Sequence, residues 1–306
     1  MHKVFGVMRG VVGVLAMLGF AALAIVVFVG PGPTARPSAA SQFPAAVPGR
    51  APSPISPLVC LGPARLMLAA SHNRTTIDSA SVTPFGVAEK GWGVYAPLIA
   101  HEIGTPCAPD SAGFAAAFAQ WQGGHSLAAT GEVDEPALSL LAATWLLRRP
   151  FVRAMKTGCP ASPPENTLAT AAPAESFGGK TIQARPAALE AYRRMVAKAR
   201  RDLPLTPPLL TIASAYRGPV EEAARCADGA CGNPGTARCS AHRTGLALDL
   251  YLGAAPGRSP FSTDDDDRLA QARSPAYRWL VQHAEQFGFA PYPYEPWHWE
   301  WTGEEI

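Results

Sequence analysis

Residues Tyr292–Trp301 read YPYEPWHWEW. As a strand, period-two alternation sends Trp297, Trp299 and Trp301 to one face and His298 and Glu300 to the other. One face then packs into a core while the other meets something polar. Glu295 and His298 stand in a Glu-x-x-His pair at the start of this segment. A lone pair of that kind equally describes an ordinary core histidine, so a functional reading needs partners elsewhere in the chain.

The partner stretch is SAHRTGLALDLYLG, Ser240–Gly253. His242 precedes a strand-like run, Asp249 lies within it, and Gly245 and Ala247 leave no bulk where the backbone passes a site. Imidazole and carboxylate are both zinc ligands, and a catalytic zinc takes three protein ligands and leaves one position open. His242, Asp249 and His298 make that number. Around them, PLLTIASAYR reads as another buried strand, and RPAALEAYRRMVAKARRDL as an amphipathic helix with Pro186 in its first turn and Leu189, Tyr192, Met195, Val196 and Ala199 on one face. SPAYRWLVQHAEQFGF reads as a helix with Ser274 as N-cap, Pro275 next and Gly288 at its stop. Strands and helices do not alternate regularly, which predicts an α+β fold, a small mainly antiparallel sheet flanked by helices, over a doubly wound parallel one.

Ser-x-His-x-x-Gly-x-Ala-x-Asp followed by Glu-x-x-His resembles the zinc D,D-carboxypeptidases and endopeptidases of the VanY type, whose wider group includes D-Ala-D-Ala dipeptidases and the hedgehog signalling domain. The resemblance spans about residues 181–303 and includes SAYRG, similar to the family's Ser-x-Tyr-Arg-Ser segment, and EPWHWEW at the closing strand. It implies His242, Asp249 and His298 as zinc ligands, Glu295 as catalytic base and Arg217 as a substrate or oxyanion contact. The implied activity is hydrolysis of peptidoglycan stem peptides, with D-alanyl-D-alanine carboxypeptidase leading. The sequence departs from the family between Gly288 and Glu295, where GFAPYPYE lacks a longer basic, Thr-Gly-containing stretch, and at RGPVEE, which replaces a Gln-bearing continuation. Cross-link endopeptidase therefore stands beside carboxypeptidase, and a zinc-stabilised cell-wall-binding protein without catalysis is the rival from another class.

The rest of the chain frames this domain. Its 306 residues suffice for about two domains. A net charge of +2 with no basic stripe argues against a nucleic-acid partner. Residues Gly10–Gly30 form an uncharged apolar run behind Lys3 and Arg9, long enough to cross a bilayer, which takes about 20 residues. Residues 1–30 are expected to be a signal anchor, or a signal peptide if PSAAS at Pro37–Ser41 is cleaved, with everything beyond exported to the periplasm or the outer face of the inner membrane. Residues 31–57, rich in Pro, Ala and Ser, read as a tether. Export makes the six cysteines candidates for disulfides. Three lie in each half, so either one bridge joins the halves or each half keeps a thiol, and 15 connectivities remain open. A zinc ribbon at CADGACGNPGTARC lacks a second Cys-x-x-Cys.

Between the tether and the zinc domain, residues 58–160 predict helices. One carries Phe114, Phe118 and Trp121 and breaks at Gly123-Gly124. The next starts near Asp134 and carries Leu138, Leu141, Ala142 and Trp145. This pattern resembles the three-helix peptidoglycan-binding-like domain found beside cell-wall hydrolases. Residues 161–180 read as a linker to the zinc peptidase domain, 181–306. His283 sits among Trp279, Leu280 and Phe287 as a core residue, Asp264–Asp267 as a solvated run ahead of a helix, and His72, His101 and His125 fit no metal spacing.

Overall fold

The computed structural model describes residues 60–227 and 239–306. The expected anchor and tether, and most of the cysteine-containing loop after Cys226, lie outside these. Among the described residues no helix is long and apolar enough to cross a membrane.

The centre of the fold is a four-stranded sheet of β5 (Ile212–Ser214), β6 (Ala247–Leu250), β7 (Phe289–Pro291) and β8 (His298–Trp301), ordered β5-β6-β8-β7. Every pairing in it is antiparallel. Two short antiparallel hairpins, β1 (Ser81–Val82) with β2 (Glu89–Lys90) and β3 (Ala169–Thr170) with β4 (Gln183–Ala184), lie ahead of it in the chain. The helices are α1 (Met67–Thr76), α2 (Ala96–Glu102), α3 (Ala112–Gly124), α4 (Glu135–Arg148), α5 (Pro150–Ala154), α6 (Pro186–Asp202), α7 (Pro219–Arg225), α8 (Asp265–Ala272) and α9 (Pro275–His283). The mixture of helices with a small antiparallel sheet is the α+β class that the irregular order of elements predicts.

Local chemistry sets the helix ends. Ser111 Oγ accepts from Phe114 N at 3.1 Å to start α3, Asp134 Oδ1 from Ala137 N at 3.0 Å to start α4, and Ser274 Oγ from Tyr277 N at 3.1 Å to start α9. The expected inner face of α6 is buried from Ala188 to Ala199. After α9 a 3-10 turn ends at Gly288, whose φ of 80° suits glycine, and the chain enters β7. Asp264 precedes α8 without a side-chain capping bond, and Asp265, Asp266 and Asp267 fill its first turn, where the helix dipole favours negative charge. Asp267 is buried, so the run is not solvated throughout.

The expected division at residues 161–180 does not appear as a break. The described residues all fall in one compact unit. Phe114, Leu141 and Trp145 from the upstream helices share one hydrophobic core with Leu189, Tyr192, Leu248 and Trp299. The stretch 161–180 itself carries 3-10 turns, and its β3 pairs with β4. Proline and alanine here serve tight turns that stay largely exposed, while Ala171 and Ser176 are buried and Ser176 bridges to Ile212 of β5. Of the two cysteine schemes the sequence leaves open, a bridge between the halves is the one found: Cys159–Cys239, alongside Cys60–Cys107.

Candidate metal centre

Asp249 in β6 and His298 in β8 face each other directly across the antiparallel ladder, so their side chains leave the sheet on the same side. His242 arrives from a 3-10 turn, Ala241–Thr244, whose start is capped by Ser240 Oγ accepting from His242 N at 3.3 Å. The turn closes on Gly245 at φ 71°, where a Cβ would also press on Arg185 and Leu168 at 3.2 Å. Glycine is the residue that permits this reversal into β6.

His242 Nε2 lies 3.1 Å from Asp249 Oδ2, and His298 Nδ1 lies 3.0 Å from Asp249 Oδ1. Ligand atoms of the three residues all fall within 4.8 Å of one another, the one group of that kind among the described residues. The opposite ring nitrogens are occupied from outside. His242 Nδ1 is 2.6 Å from the Ala215 carbonyl, and His298 Nε2 is 3.3 Å from Glu300 Oε1. Both outer partners are acceptors, so each holds an imidazole proton on the outer nitrogen and points the inner nitrogen toward Asp249. The N, N, O donor set converging on one space suits zinc. Burial by itself would raise the Asp249 carboxyl, but the two histidines outweigh it and hold it well below the usual range. Burial likewise opposes protonation of His298, yet its hydrogen bonds to Asp249 and Glu300 push it up to about 9.

The group opens into a cleft of about 800 Å³. Glu295 stands beside the cluster, its Oε2 3.9 Å from His298 Nδ1, and burial raises its carboxyl above the ordinary glutamate value. A turn holds it there: Glu295 N donates to the Tyr292 carbonyl at 3.0 Å and His298 N to the Glu295 carbonyl at 2.8 Å. Arg217 also lines the cleft. Its Nη1 donates to Ser240 Oγ at 3.0 Å and its Nη2 to Ser214 Oγ at 3.4 Å, while Nε has no hydrogen-bond partner and Glu221 stays 3.8 Å away. Burial and then the nearby Arg225 depress its pKa. It is a cation held by hydroxyls, with capacity left for an anion.

Residues 181–304 match the family model described as VanY, D-alanyl-D-alanine carboxypeptidase. That segment is of VanY type. No curated protein matches the chain.

All five residues singled out in the VanY-like segment thus meet at one cleft. His72, His101, His125 and His283 do not join them: His125 stacks on Trp121 at 4.3 Å, and His283 lies against Trp279 at 4.8 Å. The tryptophans divide differently from strict alternation. β8 begins only at His298, and Trp297, one residue earlier, turns to the cleft wall beside Phe261, while Trp299 packs behind the sheet on Tyr277. Three cleft cations were not singled out by sequence, Arg149, Lys180 and Arg225, and neither was the upstream wall of Phe151, Val152 and Met155. Arg243 and Arg258, close in sequence to the site, pair instead with Glu222 and with Asp264 and Asp266. The phase of Glu300, two residues after His298 on one strand, could have marked it as a neighbour of the ligand.

Proposed function

We propose that the protein is an exported zinc peptidase that hydrolyses peptidoglycan stem peptides, acting as a D-alanyl-D-alanine carboxypeptidase. The observation that carries this reading is the convergence of His242, Asp249 and His298 beside a carboxylate with a raised pKa. When bound, zinc supplies a water of lowered pKa and polarises the peptide carbonyl. The chain's own groups do the rest. Glu295 takes a proton from the attacking water and delivers it to the leaving amine as the carbon–nitrogen bond breaks, a role usually worth about 10²–10⁴ in rate. Burial raises its carboxyl above the ordinary glutamate value, the direction that suits a group which must release a proton as well as accept one. Arg217, in the cleft lining, faces the developing oxyanion or the substrate's terminal carboxylate.

Carboxypeptidase is preferred over cross-link endopeptidase because the cleft holds Lys180, Arg217 and Arg225 beside the ion-paired Arg149, and a free terminal carboxylate needs such partners when it leaves water. The disulfides support action outside the cytoplasm. The upstream helices are read as a wall-binding region that also completes the catalytic core.

Glu295→Gln is expected to retain zinc while losing about 10²–10⁴ in turnover of muropeptides. Activity close to wild type, or loss of the metal, removes Glu295 from the role of base. Mass spectrometry of digests settles the bond: D-alanine released from pentapeptide monomers is expected, whereas cross-linked dimers falling to monomers with no D-alanine released would make the enzyme an endopeptidase.

A further inference from the structure

The zinc-ligand cluster is supported by a residue outside the VanY-like segment. At Arg148-Arg149-Pro150 the chain leaves α4, because a residue before proline is driven out of the helical region, and Arg149 is extended at φ −74°, ψ 127°. Arg148 turns outward to Glu102. Arg149 turns inward, where it is 6% exposed and meets Glu300, itself 1% exposed. Arg149 Nε donates to Glu300 Oε1 at 2.7 Å and Nη2 lies 2.6 Å from the same oxygen as an ion pair, while Phe151 N donates to Glu300 Oε2 at 3.0 Å. Glu300 Oε1 is also the acceptor for His298 Nε2. The guanidinium lies 3.9 Å over the Tyr292 ring, whose edge meets the His298 imidazole. His298 is therefore oriented from two sides by groups that Arg149 touches.

We infer that Arg149 is a positioning residue for the metal ligand His298, acting through Glu300, so that the helices ahead of residue 181 supply part of the metal centre's support. The inference rests on the reading of His242, Asp249 and His298 as zinc ligands. A carboxylate on the outer nitrogen of a ligating histidine fixes its tautomer and ring angle, and loss of such a partner typically costs about 10–100-fold in metal affinity. Arg149 and the Phe151 amide fix that carboxylate. The ordinary alternative is an ion pair that only stabilises the fold.

The test is zinc affinity of the full-length protein, measured by competition with a chromophoric chelator. Arg149→Met is expected to weaken zinc binding about 10–100-fold, with Arg149→Lys recovering part of the loss. The double variant Arg149→Met/Glu300→Met leaves no buried charge unpaired, yet is expected to stay weakened because His298 Nε2 has lost its acceptor. A folded double variant that binds zinc as tightly as wild type overturns the inference and leaves the zinc reading standing. Should the variants fail to fold, long-range ¹⁵N correlations of the zinc-loaded wild type decide: a proton on His298 Nε2 with metal on Nδ1 supports the inference, and the reverse overturns it. Wild type that takes up no zinc in the same titration removes the parent reading and this one together.

Discussion

Two buried arginine–glutamate pairs join the upstream region to the VanY-like domain, and they run in opposite senses. In one the upstream region supplies the cation, Arg149, to Glu300 in β8; in the other it supplies the anion, Glu89 in β2, to Arg268 in α8. Both glutamates are almost fully buried, yet their carboxyls move in opposite directions. At Glu300 burial is outweighed by Arg149 and His298, and the carboxyl falls to about 2. At Glu89 burial wins over Arg268, and the carboxyl rises. The difference lies in what each oxygen meets. Glu300 has both oxygens engaged, by Arg149, His298 and the Phe151 amide. Glu89 has Oε2 engaged by Tyr95 at 2.5 Å and Arg268 at 2.6 Å, while Oε1 has no hydrogen-bond partner. A nearby cation does not by itself make burial of a carboxylate favourable; satisfaction of its remaining lone pairs decides.

The largest test of this contrast is stability. Removing one partner of a satisfied buried pair costs about 3–5 kcal/mol, so Arg149→Ala is expected to lower unfolding free energy in denaturant by that amount. Glu89→Gln is expected to cost only about 1 kcal/mol, since the carboxyl is already penalised and an amide oxygen still accepts from Tyr95 and Arg268. Equal losses would mean that the unengaged oxygen carries no weight.

Acid comes next. Glu300, near 2 in the fold against 4.5 for a free glutamate, contributes stability that is fully present above about pH 4.5 and is lost as pH falls toward 2. The difference corresponds to about 3 kcal/mol. Glu89 has the opposite sign, its neutral form being favoured by folding, so it softens rather than adds to the acid loss. Unfolding curves recorded across this range with chelator present should show the slope in wild type and a shallower one in Glu300→Gln; identical slopes break the assignment.

The smallest effect belongs to a third joint between the same regions, Arg273 with Asp78, at 2.8 Å but with both side chains more than half exposed. Arg273→Ala is expected to cost less than about 1 kcal/mol and to vanish into noise at high salt.

How far the sequence carried these readings depends on the range of each signal. His242, Asp249, Glu295 and His298 stand in short patterns on predictable strands, and the caps Ser111, Asp134 and Ser274 act within three residues, so their placement could be read locally. The missing division at 161–180 had no such mark, because proline, alanine and serine are common to solvated spacers and to turns packed on a sheet. Arg149 was illegible for a different reason: its partner is 151 residues away, and nothing in RRPF distinguishes the arginine that turns inward from the one that turns outward. Trp297 misled by lying one residue before its strand, where alternation does not yet apply.

The order β5-β6-β8-β7 places the latest strand in the chain between two that precede it. Without β8, β6 and β7 each keep an open edge, and His242 and Asp249 stand without their third companion. Insertion of β8 pairs both edges and brings in His298 and Glu300 in the same event. A chain lacking that strand holds no complete set of His242, Asp249 and His298, so closing the sheet and bringing the three side chains together are one step.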